Sequence, residues 1–126
     1  MAALVFDAGG LIALDRGKRE VGRLLAVAAD AGVEAVTSAA TVAQVWRDPT
    51  RQARLTRALA SVVERSLDPP AARECGLLLA RAHTSDIADA AIALLVEDGD
   101  TVVTSDPDDM AHLLNTVGTH ARVLSV

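Results

Sequence analysis

Two short apolar runs far apart in the chain, ALVF at residues 3–6 and TVVTS at 101–105, each stop on an aspartate, Asp7 and Asp106. A second acidic pair, Asp86 and Asp89, opens the helical stretch between them, and its three-residue spacing puts both carboxylates on one helix face. In a parallel α/β sheet the carboxyl ends of the strands share one edge, and ligands bind in the crevice there. Carboxylates gathered in such a crevice repel one another unless protons or a divalent cation compensate them. The pattern therefore predicts a Mg²⁺ or Mn²⁺ site held by Asp7, Asp86, Asp89 and Asp106, and with it phosphodiester chemistry.

Each of these residues also has a plainer explanation. An aspartate at the start of a helix caps free amides and suits the dipole, which is worth about 0.5–2 kcal/mol. Asp7, Asp86 and Asp106 all precede or begin predicted helices, so capping accounts for any one of them. Their conjunction is what points to a site. Trp46 reads as a packing anchor, and Cys75, with no basic flank, as a core residue rather than a nucleophile. His83, His112 and His120 show no metal-ligand spacing, which leaves surface or capping roles.

The elements that must position the acids alternate between strand and helix. A strand over about 2–6 leads into Asp7-Ala8-Gly9-Gly10 and a short apolar helix through Leu14. A helix over about 19–31 repeats Val21, Leu24, Leu25 and Ala28 and stops at Gly32. A strand at 34–37 follows, with Ser38 capping a helix that carries Val42, Val45 and Trp46. Asp48-Pro49-Thr50 breaks that helix, and an arginine-bearing helix runs to about Val63. A short extended piece near Ser66 and Leu67 precedes Pro69-Pro70 and a further helix. Another helix begins at Thr84-Ser85-Asp86 and ends near Asp98-Gly99-Asp100. A strand at 101–105, a helix from Pro107 to about Val117 and a strand at 121–124 complete the series. With no repeat, linker or low-complexity tract, residues 1–126 are expected to form one three-layer α/β/α domain around a parallel sheet.

Composition narrows the class. The chain has 126 residues, 51% of them hydrophobic but only 2% aromatic, so its core must be built from Ala, Leu and Val. That favours helices on a sheet over a module whose exposed rings stack on bases. One cysteine excludes an internal disulfide, and the apolar run before Asp7 is far too short for a signal sequence or a membrane span. A cytoplasmic protein without membrane association is expected. The net charge of −5 divides unevenly: residues 1–65 hold nine Lys/Arg against seven Asp/Glu, and residues 66–126 three against ten. In the basic half, Arg47, Arg51, Arg54 and Arg57 are spaced to line one face of a helix, either for phosphates or an acidic partner, or as a solvated face.

In this order and spacing the chain resembles the PIN domains, in particular the small ribonuclease toxins of the VapC type. VFDAGGLIAL looks like that family's opening strand with its acidic residue, and DIADAAIALLVEDGDTVVTSD like the segment joining its later acidic positions. The likeness covers nearly the whole chain. It implies Asp7, Asp89 and Asp106 as catalytic acids, with Asp86 and Asp109 as nearby carboxylates that assist, and Thr104 and Ser105 as hydroxyls that position phosphate or water. The family's second acidic residue, a Glu on the helix after the second strand, falls at Gln44, whose amide offers a neutral oxygen and no charge.

The resemblance implies Mg²⁺-dependent (or Mn²⁺-dependent) RNA cleavage by a metal-activated water, a VapB-like antitoxin as partner, and a homodimer. The alternative is a catalytically weakened or inactive PIN-like module that binds RNA or a protein. Two other acidic-edge folds fit poorly. A receiver domain needs a lysine on its last strand, and Lys18 is the sole lysine; a haloacid-dehalogenase-like phosphatase needs an Asp where Gly9 stands.

Overall fold

The computed structural model describes residues 2–126. Its strands are β1 (Leu4–Phe6), β2 (Ala35–Ser38), β3 (Val63–Arg65), β4 (Thr101–Thr104) and β5 (Arg122–Ser125). Between them lie α1 (Ala8–Asp15), α2 (Arg19–Asp30), α3 (Ala39–Val45), α4 (Ala53–Leu59), α5 (Pro69–Ala82), α6 (Ile87–Leu95) and α7 (Pro107–Val117). All five strands form one parallel sheet in the order β3-β2-β1-β4-β5. The chain builds outward from β1 to β3, returns to the centre, and builds outward again through β4 and β5. The order reverses between β1 and β4, and that junction is where open parallel sheets form their ligand crevice.

Side chains alternate across each strand, so the two faces bury different residues. Leu4, Phe6 and Val103 point into a core shared with Leu11, Leu14, Val21, Leu25 and Leu55 of α1, α2 and α4. Val5 and Val102 point the other way, into Leu78, Ile92, Met110 and Leu113 of α5, α6 and α7. The central strands are apolar on both faces because helices cover both, as a parallel sheet requires. The core is mainly aliphatic, and its fully buried ring is Phe6.

The helix starts and stops follow the predicted signals closely. Ser38 caps α3 through the Thr41 amide at 3.1 Å, Asp68 caps α5 ahead of Pro69-Pro70, and Gly118 ends α7 at φ 89°. One expectation is corrected. The four arginines do not share a helix: α3 ends at Val45, Trp46 is extended, and α4 spans only Ala53–Leu59. Arg47 and Arg51 therefore lie in the intervening loop, and only Arg54 and Arg57 are helical. The loop is organised by Gln52, whose Oε1 accepts from the Arg47 and Asp48 amides at 2.8 and 3.0 Å while its Nε2 donates to the Val45 carbonyl at 2.9 Å. A second correction concerns β3, which occupies 63–65, where the helix was expected to end, and not Ser66 and Leu67. Its register pairs Val36 with Val63, but all three of its residues are exposed, so no apolar alternation marks it.

Candidate active site

The four aspartates come from three segments, and each segment enters the same edge of the sheet. Asp7 follows β1, its amide still bonded to the Val103 carbonyl of β4 at 3.2 Å, and its Oδ1 accepts from the Gly10 amide at 2.9 Å as the cap of α1. Asp106 follows β4 and caps α7 through a longer contact, 3.4 Å, to the Asp109 amide. Asp86 caps α6 by accepting from the Asp89 amide at 2.9 Å. Capping and the candidate site thus coincide: each cap accepts its helix amide at Oδ1.

The approach of β1 to β4 at this edge depends on two glycines. A Cβ on Gly10 would stand 2.7 Å from the Val103 carbonyl oxygen, and one on Gly9 would overlap Ser105. Without side chains there, the first turn of α1 lies against the end of β4, which sets Asp7 beside the Asp106 segment. Thr104 links the two. Fully buried, its Oγ1 accepts from the Asp106 amide at 2.9 Å, and its hydroxyl beside Asp7 helps hold that carboxyl's pKa down. Ser105 and Asp109 are exposed at the rim.

The electrostatics are those of crowded, uncompensated acids. Burial pushes the Asp7 pKa up and the Asp106 charge adds to the rise, against the lowering by Thr104 and the Gly10 and Gly9 amides. Asp89, half-buried, is raised to about 6, first by burial and then by Asp86, Asp7, Asp109 and Asp106. Asp109 is raised by its hydrogen bond with Asp106 and by the Asp106 charge. No Lys or Arg forms an ion pair with any of these acids among the described residues. Hard oxygen donors in that state suit a hard divalent cation. No three His, Cys, Asp or Glu among the described residues are grouped closely enough to hold a metal ion as they stand.

Beside the acids is a cleft of about 270 Å³ lined by His83, Thr84, Asp86, Asp89, Asp109 and His112. The two histidines are the residues that sequence reasoning left aside. His83 ends α5 in the left-handed region at φ 58°, and the His112 Nε2 lies 2.8 Å from the Ala82 carbonyl. Both therefore have the capping role expected of them, and both also face the acidic cleft. No spacing rule brings residues 83 and 112 together; α5 packing against α7 does. Gln44 stands exposed on α3, and no hydrogen bond joins it to the aspartates among the described residues. A larger cavity, about 440 Å³, lies at the opposite edge of the sheet, where Ala3, Glu34 and Asp100 precede their strands, and it holds none of the candidate residues.

A five-stranded parallel sheet in this order, layered between helices, with aspartates at its reversal point, defines a three-layer α/β/α fold of the PIN-like kind. The same fold is found in the solved structure of VapBC2 from Rickettsia felis bound to a DNA fragment from their promoter. That match has a TM-score of 0.70 and covers 96% of this chain and 98% of the other at 13% sequence identity. No protein-family model matches the chain, and no curated protein matches it in sequence. Among the described residues, no helix is long and apolar enough to cross a membrane.

Proposed function

We propose that this protein is a divalent-cation-dependent endoribonuclease of the toxin class, restrained by a small antitoxin. The observation that carries the reading is electrostatic: Asp7 and Asp106 follow the two strands at the reversal point of the sheet, and their charges, with burial and those of Asp86 and Asp109, raise Asp89 to about 6, with no Lys or Arg ion-paired to these acids among the described residues. The likeness in fold to VapBC2 supports it. Asp7, Asp86, Asp89 and Asp106 would hold Mg²⁺ or Mn²⁺. When bound, such an ion polarises a phosphate and lowers the pKa of water.

The chain's own residues supply the rest. Asp89, beside the other carboxylates, would help hold the ion or orient the attacking water through its carboxylate. The Thr104 hydroxyl fixes Asp7 and the Asp106 amide relative to each other, and Ser105 and Asp109 border the crevice from the rim. An antitoxin that inserts an Arg or Lys among these carboxylates would neutralise them and displace the ion. A homodimer belongs to the same proposal.

Calorimetric titration with Mn²⁺, followed by an RNA cleavage assay, tests the reading. Asp7→Asn and Asp106→Asn should each abolish Mn²⁺ binding and cleavage with the fold intact, since Asn caps a helix as well as Asp. Unchanged Mn²⁺ affinity in both variants would sink it. One observation favours a second reading, a PIN-like module that binds RNA or protein without cleaving. Gln44 stands where the resemblance implies a carboxylate, which leaves the site one charge short. Mn²⁺ binding without RNA cleavage would select that reading.

A further inference from the structure

The acidic edge has a basic counterpart assembled from two separate segments of the chain. In the turn between α1 and α2, Gly17 adopts φ +71°, and the Arg54 side chain from α4 lies directly over it. A Cβ at Gly17 would stand 2.9 Å from the Arg54 Nε and 3.0 Å from its Cζ, so the absence of a side chain is what seats the guanidinium there. Arg16 and Lys18 flank that glycine in the chain, Arg19 follows, and Arg57 is one helical turn beyond Arg54 on the same face. All five cations are exposed, and none forms an ion pair among the described residues.

Two further arginines of the α3–α4 loop are engaged. The Arg47 guanidinium donates to the Ala43 and Trp46 carbonyls at 3.1 and 2.7 Å, and Arg51 faces Asp48 at 3.7 Å. Of the neighbouring acids, Asp15 is half-buried with its Oδ2 toward Gln52 at 3.4 Å, leaving Glu20 as the one exposed opponent in that turn. Five free cations on one surface of a chain whose net charge is −5 are a local reversal of its field.

We infer that this surface carries the phosphate backbone of a single-stranded RNA as it leads into the acidic edge, an inference that rests on the nuclease reading. Asp7 caps the start of α1 and Gly17 follows its end, so the helix joins the two sites. Eight residues of helix span about 12 Å, a distance of a few phosphates along a nucleic-acid strand. A strand approaching a cluster of carboxylates is repelled by it, and uncompensated guanidinium groups one short helix away supply the attraction that delivers it. An acidic protein segment would be drawn to the same charges, but it has no reason to be led toward the carboxylates.

The test is fluorescence anisotropy of a short fluorescein-labelled single-stranded RNA, in chelator, so that neither metal loading nor cleavage affects the readout. Removing three phosphate contacts in Lys18→Ala/Arg54→Ala/Arg57→Ala should flatten the slope of log K against log salt by about 2, at about 0.7 per contact. Between about 50 and about 200 mM salt that is roughly an eighteen-fold smaller loss of affinity than in the unmodified protein. Arg54→Lys/Arg57→Lys should keep the slope, because the charges remain. Arg73→Ala/Arg122→Ala, exposed arginines elsewhere, should leave binding unchanged. If the triple variant loses no more affinity or slope than this control, the inference is overturned. It is also overturned if poly-glutamate displaces the RNA at equal charge concentration, and an acidic protein partner then takes its place. RNA held by these residues without metal-dependent cleavage would defeat the nuclease reading alone; cleavage with the triple variant binding normally would defeat this surface alone.

Discussion

Asp89→Asn isolates the electrostatic load at the acidic edge. Burial, then the charges of Asp86, Asp7, Asp109 and Asp106, raise the Asp89 pKa from 3.8 to about 6. The folded protein therefore holds this proton more tightly than the unfolded chain does. The stability so contributed is complete below the unfolded pKa and is lost as pH rises through about 6. At about 1.4 kcal/mol per pH unit the shift corresponds to an upper bound of about 3 kcal/mol. Half-burial lets solvent screen part of it, which leaves about 1–2 kcal/mol of relief at neutral pH when the charge is removed.

Asparagine keeps the shape, and the residue 89 amide that donates to the Asp86 carboxylate is untouched. Urea denaturation in chelator, across the range from the unfolded pKa to neutrality, reads the difference between variant and wild type, and ionisations common to both cancel. The difference should be near zero at the acid end and grow to about 1–2 kcal/mol in favour of the variant at neutrality, a gain of roughly 3–6 °C in Tm. A difference that stays constant with pH, or a variant less stable at neutrality, would refute the argument that these acids press on one another.

Three further outcomes are expected. Gly10→Ala forces a methyl group toward the Val103 carbonyl oxygen, which cannot yield, and should cost about 1–3 kcal/mol in chemical denaturation while weakening Mn²⁺ affinity through the displaced first turn of α1. Gln44→Glu should tighten Mn²⁺ binding in calorimetry, and the gain should vanish in an Asp7→Asn background; a gain of equal size in both backgrounds places residue 44 outside the site. Gln52→Leu removes the bonds to the Arg47 and Asp48 amides and the Val45 carbonyl, and should cost about 2 kcal/mol in thermal or urea unfolding.

Local signals carried most of the fold. Apolar runs ending in Asp, capping residues ahead of periodic segments and Pro or Gly at the boundaries located the main strands and helices within a few residues, because those signals act through neighbours in the chain. The exceptions are physical. β3 is three exposed residues at a sheet edge, held by backbone pairing to β2, and backbone pairing leaves no mark on side-chain type. The arginine spacing was periodic, but Gln52 closes a loop through the middle of it, and a buried amide making tertiary bonds looks like any polar residue in sequence. Within the site, the acids were legible as types. The close passage at Gly9 and Gly10, the bridging Thr104 hydroxyl and the arrival of His83 and His112 depend on strand order and helix packing, which only the folded chain reveals.

The double duty of the aspartates has a consequence for how such a protein can change over time. Asp7, Asp86 and Asp106 each anchor a helix with one oxygen, and asparagine performs that task equally well. A single base change in any of the three codons can therefore remove a charge from the crevice while the architecture survives. Under the proposed function, chemistry at this edge would be easily lost while the scaffold is not, so a chain could pass from cutting to merely holding without crossing an unfolded intermediate.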